Sequence, residues 1–206
     1  MTETIEHRTM HWRGSDSERI DTAHVRLGID SLTAHGTSLT SSYALDFRLT
    51  TGPRWITRAL DVRTRGDGWS RSLVLRRSDE GDWTADWDGR GGGQLPQELP
   101  DLRESLDCDL GLCPLTNTMP ILRHDYVGAA HRGQTASRGF IMALVSVPDL
   151  AVQRSEQRYS VMDPVDVNGG ALVGFASERF STTLETDGDG LIINYPGLAR
   201  RVEALT

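Results

Sequence analysis

Apolar residues recur at every second position through much of this chain. Tyr43, Leu45, Phe47 and Leu49 alternate without a break, with Asp46 and Arg48 between them. That period sets one face of an extended strand on a core and the other in water, and a helix cannot satisfy it. Stretches 23–30, 55–65 and 71–79 repeat the pattern with Val, Ile, Thr and Trp, which suit a pleated surface. Turn residues punctuate these runs as "AHGTS", "TTGP", "GDG" and "DEGD". "RGDGW" and "SDEGDW" read as hairpin connections, where Asp and Gly accept positive φ. Many short strands at this spacing predict an all-β antiparallel fold: a strongly curved sheet or large barrel around an apolar interior, with few short helices.

At 206 residues the chain is expected to form one β domain, 1–206, large enough to bury a core without staples. The longest irregular stretch is the Gly-rich 88–101. Segment 96–107 could hold one or two helical turns. Pro196, Leu198, Val202 and Leu205 predict a short terminal helix. "RSLVLRRSDEGDWTADW" and "RFSTTLETDGDGLIINY" share a strand, acidic turn, strand pattern. An internal duplication and chance likeness of hairpins both remain open.

The net charge of −7 argues against a nucleic-acid partner, which needs a basic face. All 22 basic residues are Arg, so Schiff-base lysine chemistry is excluded. No apolar run approaches the ~20 residues of a membrane span. The N-terminal stretch has no apolar signal region. A bacterial, cytoplasmic location is the expectation. Two cysteines, Cys108 and Cys113, make no disulfide framework and are expected as free thiols.

The stretch "DCDLGLCPLTNTMPILRH", from Asp107 to His124, carries most of the functional signal. A metal reading finds ligand types in Asp107, Asp109, Cys108, Cys113 and His124, but Cys-x4-Cys lacks the second ligand pair of a structural zinc site. A nucleophile reading pairs a cysteine with His124 and an Asp, without any signature that fixes it. In the scaffold reading, Cys108, Leu110 and Leu112 face inward while Asp107, Asp109 and Gly111 face out. Pro114 and Pro120 then fix a corner. Thr116, Asn117 and Thr118 bond their own backbone there, and the chain re-enters the sheet as "ILRHDYVG". The scaffold reading is preferred, with no metal, cofactor or catalytic residue assigned.

The same stretch resembles the hallmark segment of a bacterial family described as "putative glycolipid-binding". Asp107, Asp109, Leu110, Pro114, Thr116, Asn117, Thr118, Pro120, Ile121 and Arg123 match its pattern. "RWITRALDV" with Trp55, Thr57 and Arg58, "EQRYSV" with Gln157 and Tyr159, and "DGDGLIINYPGL" with Asp189, Gly190, Tyr195 and Pro196 fall in the expected order. Leu122 and His124 depart from it, standing where a second basic and an aliphatic residue are expected. The resemblance implies a barrel-like or corner-shaped sheet around an apolar cavity, similar to lipoprotein carriers, and brings no catalytic residues. It points to Trp55, Arg58, Thr116, Asn117, Thr118, Arg123, Tyr159 and Tyr195 as ligand contacts.

The expected function is therefore non-catalytic binding of an amphiphile, a lipid or glycolipid, in the concavity of the sheet. Tyr43, Phe47, Trp55, Tyr159, Phe175 and Tyr195 could line such a site. Trp83 and Trp87 could stack on a sugar or pack on a neighbouring strand. Two alternatives stay open: a small-molecule hydrolytic enzyme using Asp107, Asp109 or His124, and a protein-interaction module with a closed core. Oligomeric state is not addressed by these features.

Overall fold

The computed structural model describes residues 5–15, 18–96, 98–178 and 180–203. Alternation becomes strand almost throughout. The first seven are β1 (Glu6–Gly14), β2 (Ile20–Leu27), β3 (Leu32–Leu39), β4 (Ala44–Thr51), β5 (Thr57–Gly66), β6 (Trp69–Arg77) and β7 (Trp83–Arg90). After a gap come β8 (Asp107–Leu110), β9 (Ser137–Val145), β10 (Val152–Pro164), β11 (Ala171–Ser177), β12 (Phe180–Thr186), β13 (Ile192–Tyr195) and β14 (Ala199–Val202). They form one 14-stranded sheet in the order β7-β6-β5-β4-β3-β2-β1-β14-β13-β12-β11-β10-β9-β8. Neighbours are antiparallel except β8 and β9, which are parallel. The sheet does not close into a barrel, because β7 and β8 remain its two ends.

Leu45, Phe47 and Leu49 are buried, as their period requires, and the Asp67–Gly68 hairpin joins β5 to β6. "AHGTS" is not a turn. It lies within β3, where Gly36 faces the core. A Cβ there would stand 2.6 Å from the Phe47 ring and 2.5 Å from the Thr22 carbonyl oxygen. The glycine is needed for close packing rather than for a turn.

The sheet rolls so that its last strand sits inside its first half. Alternate residues of β8 and β9 belong to two different cores. Cys108, Leu110, Ala143 and Val145 pack with Leu49, Leu60, Leu73 and Leu75 of β4–β6. Met142 packs on the other side with Tyr159, Phe175, Leu184 and Ile192. Two bonds tie the end strand to β5: the Thr57 N–H donates to the Leu106 carbonyl at 3.0 Å, and the Cys108 N–H to Thr57 Oγ1 at 3.0 Å. Trp83 and Trp87 turn inward. Their indole N–H groups donate to the carbonyls of Ser105 (3.2 Å) and Leu150 (2.8 Å), so they pack on neighbouring chain.

Three expectations are corrected. The C-terminal residues form β14, paired with β1, rather than a helix, and Leu205 lies outside the described residues. The described part of 96–107 is irregular up to β8, and Gln97 lies outside the described residues. "ILRHDYVG" does not re-enter as a strand. Pro114–Asn117 forms a 3-10 turn, followed by α1 (Thr118–Arg123) and α2 (Tyr126–His131). Pro120 sits in the first turn of α1, where a missing N–H breaks no helical bond. The Asp125 side chain accepts from the Gly128 N–H and caps α2.

The alternation at β8 is right in period and incomplete in meaning. Cys108 and Leu110 do face the first core, but Asp107 is buried as well, and Leu112 is 40% exposed with φ 62°. Burial pushes both thiols upward, Cys113 to about 12. Cys108 should label far more slowly than half-buried Cys113 in the folded protein, with the two rates converging in denaturant. Equal rates in the folded state would contradict this packing of β8.

Candidate functional site

The helical segment 114–131 lies on the inner face of β8–β11, and polar side chains bind it there. Asp107 on β8 and Arg123 at the end of α1 form an ion pair whose side chains are 1% and 0% exposed. Arg123 Nη1 donates to Asp107 Oδ1 at 3.0 Å, Nη2 donates to Oδ2, and Nη1 also reaches the Arg54 carbonyl at 3.3 Å. The fork geometry holds α1 against β8 and the turn at residues 53–55. Burial pushes the Asp107 carboxyl upward against the opposing pull of Arg123.

Two residues along, Asp109 faces the same way. Thr116 Oγ1 donates to its Oδ1 at 2.8 Å and Gln157 Nε2 to its Oδ2 at 2.6 Å. The Tyr159 hydroxyl donates to Asn117 Oδ1 at 2.8 Å, with Gln157 Oε1 3.3 Å away. Asn117 Nδ2 donates to the Pro114 carbonyl at 3.2 Å, which closes the 3-10 turn. Thr116, Asn117, Gln157 and Tyr159 are buried. Desolvation pushes the Asp109 carboxyl up, partly offset by its bonds from Gln157 and Thr116.

A pocket of about 180 Å³ opens onto this network. Asp109, Asn117 and Gln157 lie on one side, and Phe175, Phe180 and Tyr195 form an aromatic wall. The Tyr195 and Phe180 rings stack at 6.1 Å, and Phe175 meets Tyr195 edge-on at 5.7 Å. Leu112 and Phe180, 40% and 42% exposed, contribute apolar surface to its lining. Burial, with Asp109 as a second cause, raises the Tyr195 hydroxyl, which has no hydrogen-bond partner among the described residues. Between β4 and β8 the gap among Tyr43, Phe47, Leu110 and Val147 is only about 20 Å³. An open groove of about 680 Å³ runs over β9–β11, but Glu104, Glu156 and Glu178 line it and its one aromatic residue is Phe140.

Of the residues expected at a site, Thr116, Asn117, Tyr159 and Tyr195 come together around Asp109. Arg123 joins through Asp107. Thr118, the first residue of α1, is buried, its hydroxyl without a partner among the described residues. Trp55 and Arg58 lie at the other end of the segment, where Arg58 pairs with Asp79, and do not line the pocket. Of the acid and base groups singled out in sequence, Asp109 lines the pocket, Asp107 is bound by Arg123, and His124 rests against Phe140 at 5.1 Å between ring centroids. Phe180 and Leu112 carry no sequence signal for a site. Gln157 was quoted only as part of the family resemblance.

The structure is thus an open, rolled β-sheet whose concavity is plugged by its own helical segment, leaving a small pocket with a polar floor. A family model described as "putative glycolipid-binding" matches residues 9–201. The chain belongs to that family. It is also similar to a solved structure, a DUF1089 family protein from Pseudomonas aeruginosa, with 25% identity, TM-score 0.63, and coverage of 88% of this chain and 92% of that one. No curated protein matches the chain. Among the described residues, no helix is long and apolar enough to cross a membrane.

Two outcomes test the geometry. Arg123→Met strands a buried carboxylate and should cost about 3–5 kcal/mol in a urea melt, while Asp107→Leu with Arg123→Met should recover most of it. A single variant no less stable than the double would show that the pair does not matter. The second test uses pH. Burial, then the charges of Arg123, Arg138 and Arg54, hold His124 down to about 4. The unfolded chain takes up that proton near pH 6.5, so this histidine's contribution to stability is present above pH 6.5 and lost as pH falls toward 4. His124→Gln should lose less stability than wild type between pH 6.5 and 4.5. Identical slopes would place His124 in open solvent.

Proposed function

We propose that the protein binds the polar end of an amphiphile, a glycolipid in class, with a sugar in the pocket beside Asp109 and no bond-making step. The observation that carries this is the pairing of a fixed carboxylate with three aromatic rings around one small opening. The Asp109 oxygens each receive one protein donor and keep lone pairs for ligand hydroxyls. A sugar ring has an apolar C–H face that suits the electron-rich face of Phe180 or Tyr195. The Tyr195 hydroxyl, without a partner among the described residues, supplies a further donor or acceptor.

At about 180 Å³ the pocket falls below the ~300 Å³ at which sites for drug-sized ligands begin. Only a headgroup fits, and the tail must lie over Leu112 and Phe180. Family membership and the aromatic wall both support this reading, and the filled concavity argues against a fully swallowed acyl chain.

The test is calorimetric titration with hexyl, octyl and decyl glucoside below their micelle concentrations, beside the matching alcohols. Glucosides should bind one per chain and alcohols should not. Each added methylene should gain less than the ~0.8 kcal/mol of full burial. Phe180→Ala and Asp109→Ala should each lower affinity at least about tenfold. Equal binding of alcohol and glucoside, or no loss in either variant, would overturn the proposal.

A further inference from the structure

The outward face of β14 and β1–β4 stands apart from the rest of this acidic molecule. Four of the six histidines point out of it: His7 and His11 on β1, His24 on β2 and His35 on β3. The register sets Thr9, His24, His35 and Arg48 in one row across four strands, and His7, Arg26, Thr33 and Thr50 in the next. The His24 and His35 rings stack with centroids 4.9 Å apart. Thr9 Oγ1 lies 3.0 Å from His24 Nδ1, and Thr22 Oγ1 lies 2.9 Å from His11 Nδ1. A groove of about 570 Å³ follows these rows.

Fixed charge accompanies the imidazoles. Arg13, Arg26 and Arg48 are exposed, and Arg200 on β14 stands opposite Arg13 in the register. Among the described residues the outward carboxylate on β1–β4 is Asp46, with Arg65 at 3.7 Å. On the adjoining β5, Asp61 is engaged by Arg76 at 2.5 Å, and Arg63 shares the outward face. The chain as a whole carries −7, so a face on which arginines outnumber carboxylates departs locally from the net charge, although Asp61 stands opposite Arg48 in the register.

We propose that this face docks the protein on an anionic lipid bilayer. Phosphate headgroups match arginines and imidazoles in rows spaced by the sheet. Imidazole N–H donors stand among four exposed arginines, Arg13, Arg26, Arg48 and Arg200. Ile20 and Leu39, 37% and 57% exposed at one end of the face, can enter the headgroup boundary. The outward residues of β1–β4 include no Phe, Tyr or Trp, the rings on which a single-stranded nucleic acid would stack. The proposal does not depend on the sugar pocket, which lies on the inner side of the sheet.

The experiment is sedimentation of the full chain with vesicles of phosphatidylcholine alone or with 30% phosphatidylglycerol, at two salt concentrations. The partition coefficient should be at least about tenfold higher on the anionic vesicles, and lower in high salt. Each of Arg26→Gln and Arg48→Gln should cost about fivefold, the worth of roughly 1 kcal/mol per basic residue near such a surface. These side chains are exposed, so thermal melts of the variants should match wild type. Phe180→Ala, which damages the pocket, should leave vesicle binding intact. Equal binding to neutral and anionic vesicles, insensitivity to the arginine variants, or preferential binding of a single-stranded RNA oligonucleotide would overturn it.

Discussion

A carboxylate and a guanidinium buried against each other decide where the middle of this chain goes. Removing both Asp107 and Arg123 from water is costly, and their mutual attraction offsets that only with good geometry and full hydrogen bonding. The two-pronged contact supplies the geometry and the Arg54 carbonyl takes another donor, while Arg123 Nε stays buried without a partner among the described residues. The pair gains nothing from an extended 114–131, which would carry Arg123 away from β8. Once α1 is fixed, Thr116 and Asn117 fall within reach of Asp109 and Tyr159, and the second carboxylate is satisfied by the same folding event.

That arrangement explains the modest size of the pocket. A long curved sheet has room on its concave side, and a carrier that swallows an acyl chain would leave that room empty. Here Leu115, Met119, Ile121 and Tyr126 of the helical segment are buried in the concavity. What remains open is the margin between Asp109 and the aromatic wall, where strand, 3-10 turn and the Tyr195 strand converge. Binding specificity is therefore expected in a headgroup more than in a tail.

Much of the fold was legible because alternation is local. Leu45, Phe47 and Leu49 declare their strand with no knowledge of the partner, and Asp67–Gly68 declares its turn. The misreadings share a cause: the deciding contact is far away in sequence. Gly36 looked like a turn until Phe47 was seen against it. Leu198, Val202 and Leu205 have helical spacing, but pairing with the edge of β1 makes Ala199–Val202 a strand. α1 and α2 have six residues each, too short for a helical period to show. Asp109 was placed outward because alternation assumes one wet face, whereas β8 lies inside the roll and has none. The family resemblance marked Thr116, Asn117, Tyr159 and Tyr195 as ligand contacts, while Phe180 and Leu112 emerged as site residues only from three-dimensional adjacency.

The central claim is that ligand meets the protein at the margin of the helical plug and not beneath it. Photo-crosslinking with an octyl glucoside carrying a diazirine near the sugar, followed by peptide mass spectrometry, tests it directly. Label is predicted on residues 109–113, 175–180 and 195–198. Label concentrated on 139–141 and 156–158, along the glutamate-lined groove, or spread over buried residues of β4–β6, would contradict the account.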